Sequence, residues 1–152
     1  MEHKLEKYME QCLVLAEAAL KAGNPPVGAL IVMDDQVIGS GIESAKSTGD
    51  VTDHAEIMAI RDALRNGHRD KLYQAQLFTT HEPCAMCSYV IRHYRIPEIV
   101  YGISVPFVGG ATSSFRILTT NEVPQWGTVP DVKAGVCAEA CQELNERFRA
   151  SQ

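Results

Sequence analysis

The order of hydrophobic periods along the chain predicts an α/β fold, a three-layer α/β/α sandwich with a central sheet covered on both faces. Stripes of helical period alternate with short β-branched strands through most of the sequence. Two glycine-free helical segments, at residues 53–66 and 84–95, are long enough to join parallel strands. A length of 152 residues matches one hydrophobic core and leaves little for a second, so residues 1–152 are expected to form a single domain.

The first element is read over residues 5–22, where Leu5, Tyr8, Met9, Cys12, Leu15, Ala16, Ala19 and Leu20 share one helical stripe. Gly23-Asn24-Pro25-Pro26 stops it. GALIVM and QVIGSGI then read as two strands of a hairpin around Asp34-Asp35. A polar stretch, ESAKSTGDVTD, precedes HAEIMAIRDALRNG, in which Ile57, Ile60 and Leu64 recur at helical spacing, with Thr52 or Asp53 as candidate caps and Gly67 as the stop. AQLFTT is a compact strand. Pro83 is placed at the first position of a helix through CAMCSYVIRHY, and Pro97 closes it. EIVYGI is another strand. The region 104–130, rich in Gly, Ser, Thr and Pro, offers only a short helix near 113–119, after which DVKAG reads as a fifth strand and VCAEACQELNERFRA as a terminal helix.

Composition narrows the class further. The chain is 45% hydrophobic and 22% charged, as packed proteins are. No apolar run approaches the roughly 20 residues of a membrane span and the start resembles no signal peptide, so a cytoplasmic location is expected. A net charge of −5 argues against a large nucleic acid as the partner, with tRNA kept as the exception. Five cysteines, an odd number, favour metal binding or free thiols over a disulfide framework.

The chemistry concentrates in His54-Ala55-Glu56 and Pro83-Cys84-Ala85-Met86-Cys87, each where the chain enters a helix. Thiols at i and i+3 share one helical face, and the positive end of the helix dipole favours their ionised, metal-binding form. With the His54 imidazole they make three ligands for one Zn²⁺ and leave a fourth position for water. Glu56 is the candidate catalytic proton carrier for hydrolytic removal of an amino group. A CxxC pair alone also suits half of a structural zinc site or a redox pair, but a closed structural site would require a fourth Cys or His. His3, His68, His81 and His93 are left without a role; His81 stands close enough to the CxxC to reach that loop. Cys12 reads as core, and Cys137 with Cys141, four apart on the last helix, as small buried contacts.

On these residues, together with PPVGALIV, DHAEIMAIR, LFTTHEPCAMC, RIPEIVYG and VCAEACQELNERF, the chain resembles the cytidine deaminase-like superfamily. It looks most like the branch holding tRNA adenosine deaminases, guanine deaminases and fungal-type cytosine deaminases. The resemblance implies a five-stranded mixed sheet, one zinc per chain and a homodimer. It also implies that Val27, Gly28 and Ala29 are pocket backbone, that the Glu82 main-chain carbonyl faces the leaving amino group, and that Phe107 covers the bound ring. Glu43 stands where relatives carry a ligand-binding asparagine, and a carboxylate only accepts hydrogen bonds. Asp53 replaces a small residue. Two acids beside one pocket suit a ligand rich in N–H groups, so the expected substrate is a free nucleobase or related small amino-heterocycle of the guanine, cytosine, isocytosine or aminotriazine type. The alternatives are adenosine-to-inosine editing of tRNA, a nucleoside substrate, and a zinc-stabilised binding module without catalysis. Trp126 and Phe148 are weaker candidates for a pocket lid.

Overall fold

Residues 2–152 are described by a computed structural model, in which α1 (Glu2–Lys21), β1 (Gly28–Met33), β2 (Gln36–Ile42), α2 (Ala45–Thr48), α3 (Ala55–Arg65), β3 (Gln76–His81), α4 (Ala85–His93), β4 (Glu98–Ile103), β5 (Asp131–Lys133) and α5 (Ala138–Ala150) follow in order. Single 3₁₀ turns stand at Leu72–Gln74 and Pro124–Trp126. The five strands form one mixed sheet in the order β2-β1-β3-β4-β5. Strand β1 is antiparallel to both neighbours, whereas β3, β4 and β5 run parallel. Strands β2 and β3 therefore point the same way on either side of β1, the arrangement that the α3 crossover requires.

Side chains alternate faces along a strand, and here both faces are apolar. Ala29, Ile31, Leu77 and Ile99 join Ala55, Ala59, Ile60, Ala63 and Ile91 in the core beneath α3 and α4. Their neighbours Leu30, Val32, Phe78 and Val100 pack with Tyr8, Met9, Cys12 and Cys141 beneath α1 and α5. That division produces the three layers expected. The hairpin between β1 and β2 turns on Asp34 and Asp35, both at positive φ (52° and 58°), as a two-residue turn of this hand demands. Among the described residues no helix is long and apolar enough to cross a membrane.

The packing of α3 on β2 sets the height of the site. A Cβ added at Gly41 would lie 2.4 Å from the Ala55 carbonyl oxygen and 2.7 Å from the Met58 Cβ. Gly41→Val is expected to force α3 off the sheet, lowering stability by about 1–3 kcal/mol and loosening zinc. Urea denaturation and metal content of the purified variant check both effects.

Several local expectations are corrected. The first helix begins at Glu2, three residues before the apolar stripe, because its first turn is solvent-exposed. A short helix, α2, forms within the polar stretch. Neither Thr52 nor Asp53 caps α3; its N-cap is His54, without a side-chain cap bond. Pro83 lies before the Cys84 N-cap of α4 rather than inside the helix. No helix forms near 113–119, where side chains and a distant arginine capture the backbone groups a helix would use. Ser113 Oγ bonds the Gly109 carbonyl and accepts from the Phe115 N–H, while Arg92 Nη1 bonds the carbonyls of Ile117, Leu118 and Thr120 at 3.1, 3.1 and 2.8 Å.

Candidate metal and catalytic centre

Helices α3 and α4 begin side by side on one face of the sheet, and their N-termini carry the chemistry. His54 and Cys84 are the N-cap residues, each with extended backbone (ψ 152° and 177°), and neither side chain is spent on its own helix. Cys87 lies one turn into α4 and is fully buried. His54 Nδ1 is 3.6 Å from Cys84 Sγ and 3.5 Å from Cys87 Sγ. A tetrahedral zinc ion with bonds of about 2.3 Å to sulfur and 2.0–2.1 Å to nitrogen holds such donors about 3.6 Å apart, so both separations between His54 and the sulfurs are those of a zinc site. All three donor atoms lie within 4.8 Å of one another, and no fourth His, Cys, Asp or Glu joins the group among the described residues. Three donors suit a site with an open position. His54 and Cys84 are half-buried, whereas Cys87 is fully enclosed.

The three donors shift one another's proton affinities. The hydrogen bond from Cys87, helped by His54 and opposed by burial, holds the Cys84 thiol down to about 4. Its bond with Cys84 raises the His54 imidazole, to about 9. Cys87, facing that thiolate and buried, is pushed up.

Glu56, in the first turn of α3, is 4% exposed. Its Oε2 accepts a hydrogen bond from the Thr79 hydroxyl at 3.1 Å, and its Oε1 stands 3.9 Å from Cys87 Sγ. Burial pushes the carboxyl up, to about 7, where it exchanges a proton readily near neutrality. Thr79 escaped the sequence reading; the one available signal was a pair of threonines ending an otherwise apolar strand.

The remaining candidates divide. Val27, Gly28 and Ala29 enter β1 beside the site: the Val27 carbonyl accepts from the Glu43 N–H, the Gly28 N–H donates to Thr80 Oγ1 at 3.2 Å, and Ala29 pairs across the ladder with Thr79. Glu43 is buried, with Oε2 3.3 Å from the Ala45 N–H, and burial raises its carboxyl although His54 pulls it down. Asp53 points elsewhere. Its carboxylate is held by Arg61 Nη1 at 2.8 Å and by the Thr48 hydroxyl at 2.9 Å, and the ion pair, between residues eight positions apart, was hidden from the sequence. Glu82 is buried with its side chain turned into the loop after β4. Phe107 tops that loop at φ 70° and is 87% exposed. Trp126 packs on Tyr89 and over the Arg92 guanidinium, and Phe148 lies beneath Lys46, which is ordinary packing rather than a lid.

His81, at the end of β3, makes no contact with the trio; its Nδ1 lies 3.3 Å from Thr80 Oγ1. Burial pushes its imidazole down to about 4, against a bond to Asn145 that raises it. The folded chain therefore keeps His81 neutral where the unfolded chain, titrating near 6.5, binds a proton. Stability from this residue is fully present above pH 6.5 and is lost as the pH falls toward 4. The difference in urea midpoint between wild type and His81→Gln should accordingly shrink across that window; a pH-independent difference would contradict the assignment.

The family model for the cytidine and deoxycytidylate deaminase zinc-binding region matches residues 2–103. The tRNA-specific adenosine deaminase of Streptococcus pyogenes is 34% identical over 151 residues, covering 97% of this chain and 93% of that protein. The tRNA-specific adenosine deaminase 2 of Xenopus tropicalis is 34% identical over 154 residues, covering 97% and 90%. A solved structure from biochemical and structural studies of A-to-I editing by tRNA deaminases at the wobble position of transfer RNA superposes with a TM-score of 0.82 at 34% identity, covering 91% of this chain and 98% of that one.

These matches overturn the expectation of a free nucleobase as substrate, since the relatives aligned over nearly their whole length are named for action on tRNA. The physical signals behind that expectation have other uses. Asp53 is neutralised by Arg61, Glu43 serves its own backbone turn, and a net charge summed over the chain says nothing about one face of it.

Proposed function

We propose that this chain, which belongs to the cytidine and deoxycytidylate deaminase zinc-binding family and is a zinc-dependent hydrolytic deaminase, converts adenosine to inosine in tRNA. The observation that carries the substrate is identity of 34% over 97% of the chain to an enzyme named for that reaction. The geometry of the site supports the same chemistry.

His54, Cys84 and Cys87 would hold the zinc, which when bound supplies Lewis acidity and a water of lowered pKa. The rest falls to the chain's own groups. Glu56, fixed through Oε2 by Thr79, turns Oε1 toward the Cys87 sulfur, and from there it takes a proton from the attacking water and passes it to a ring nitrogen of adenine. The same carboxylate then takes the second proton, from the hydroxyl of the C6 adduct as the ring carbonyl forms, and delivers it to the departing amine. One water is consumed, the exocyclic C–N bond at C6 breaks, and one ammonia leaves. Val27 to Ala29 form the pocket floor, Glu43 its polar wall, and Phe107 stacks on the base. The family resemblance implies assembly as a homodimer, which light scattering of the purified protein tests.

The decisive assay incubates the zinc-loaded protein with unmodified tRNA transcripts and with free adenosine, adenine, guanine and cytosine, scoring inosine and ammonia. Inosine only in tRNA is the expected result, with an affinity that falls steeply with added salt. Turnover of free bases without tRNA editing would overturn the proposal.

A further inference from the structure

Residues 104–112, which follow β4, form no helix or strand, yet several of their backbone groups converge on one side chain. Glu82 is 1% exposed, forms no ion pair among the described residues, and has both carboxylate oxygens turned into that loop. Oε1 accepts from the Val105 N–H at 2.8 Å and the Thr112 hydroxyl at 2.7 Å. Oε2 accepts from the N–H groups of Ala111 and Thr112 at 2.8 and 2.7 Å. A buried carboxylate without a cation is tolerated only when its lone pairs are met in this way. The loop backbone here takes the place that water or an arginine fills elsewhere.

The anchor reaches the candidate metal centre directly. Glu82 stands two residues before Cys84, its own N–H extends the β3–β4 ladder to the Ile103 carbonyl, and the loop it holds adds bonds from Ala85 N–H to Val108 O and from Gly110 N–H to Pro83 O. Gly109 bridges Cys84 and lies against the carboxylate, so that an added Cβ would fall 2.3 to 2.5 Å from its carboxyl atoms. The chain is thus tied at residue 105 and again at 108–112, leaving the tip between them. At the tip Phe107 holds φ 70°, a strained conformation for a bulky side chain that persists only where the surroundings impose it.

We propose that the Glu82 side chain is a positioning residue for substrate binding: by gathering residues 105–112 onto the mouth of the site it presents the Phe107 ring to the target base. This deepens the editing reading and rests on it for its kinetic arm. The role is separate from that of the Glu82 main chain.

Two variants test it by one contact from opposite sides. Glu82→Gln keeps the shape but turns an NH₂ group toward loop donors, and Gly109→Ala pushes a methyl group into the carboxylate. In each, hydrogen exchange at Val105, Ala111 and Thr112 should accelerate by about tenfold or more, the loss expected for hydrogen bonds to a buried charge. KM for tRNA should rise by about tenfold or more with kcat held within roughly threefold, while one zinc per chain remains. Unchanged exchange and KM would overturn the proposal. So would a fall in kcat at constant KM, which would place Glu82 among the reacting groups, or loss of zinc, which would make it a support of the metal helix. Should Glu82→Gln fail to fold, Gly109→Ala decides the matter alone. A wild type that edits no tRNA defeats the functional reading, and the exchange measurements still judge the anchoring.

Discussion

Glu56→Gln is expected to lower the rate of tRNA editing by roughly 10²- to 10⁴-fold, the usual worth of a positioned general acid–base group, while leaving one zinc per chain. The amide has the shape of the acid, and its oxygen can still accept from the Thr79 hydroxyl, so the fold has little reason to change. What disappears is the ability to take a proton from water and return it to the ring and then to the amine. The carboxyl is 4% exposed, so bulk solvent has poor access to replace it. Single-turnover inosine formation and zinc content, measured on the same preparation, separate the two outcomes. A variant that retains more than about a tenth of the wild-type rate would remove Glu56 from the proton path.

Cys87→Ala is expected to abolish both metal and activity. Cys87 is the fully buried member of the trio, and its sulfur touches both His54 Nδ1 and the Glu56 carboxyl. Two remaining donors, His54 and Cys84, cannot hold zinc against competition from water and buffer, and structural supports of a site are known to change affinity by about 10–100-fold even when they are not ligands. Zinc content after dialysis should therefore fall below about a tenth of an equivalent per chain, with editing undetectable and the melting temperature lowered. Full zinc retention by this variant would mean that the ion is held by some other set of side chains. Chelation of the wild type should reproduce the phenotype and added zinc should reverse it.

Much of this molecule was legible locally. The stripe from Leu5 to Leu20, the strand GALIVM and the stop at Gly23 to Pro26 are short-range patterns, and each of those elements formed with small shifts at its ends. Residues 104–130 were not legible for a complementary reason. Their conformation is dictated by partners outside the segment, the Glu82 carboxylate before it and the Arg92 guanidinium on α4, neither of which leaves a period in the sequence. The substrate was misread on similar grounds. Glu43 and Asp53 looked like free acids beside a pocket because Arg61 and the Ala45 N–H, which engage them, are matters of folding rather than spacing.

The sequence by itself determined the layers of the fold, the identity of the three donors and the presence of a carboxyl close by, because periodicity and ligand chemistry act over a few residues. Only the tertiary structure decided how those donors meet, at edge lengths near 3.5 Å across segments 30 residues apart, and which acids are free to act. The physical reason is that burial and hydrogen bonding between distant segments set both distance and proton affinity, and neither exists until the sheet has brought α3 and α4 together.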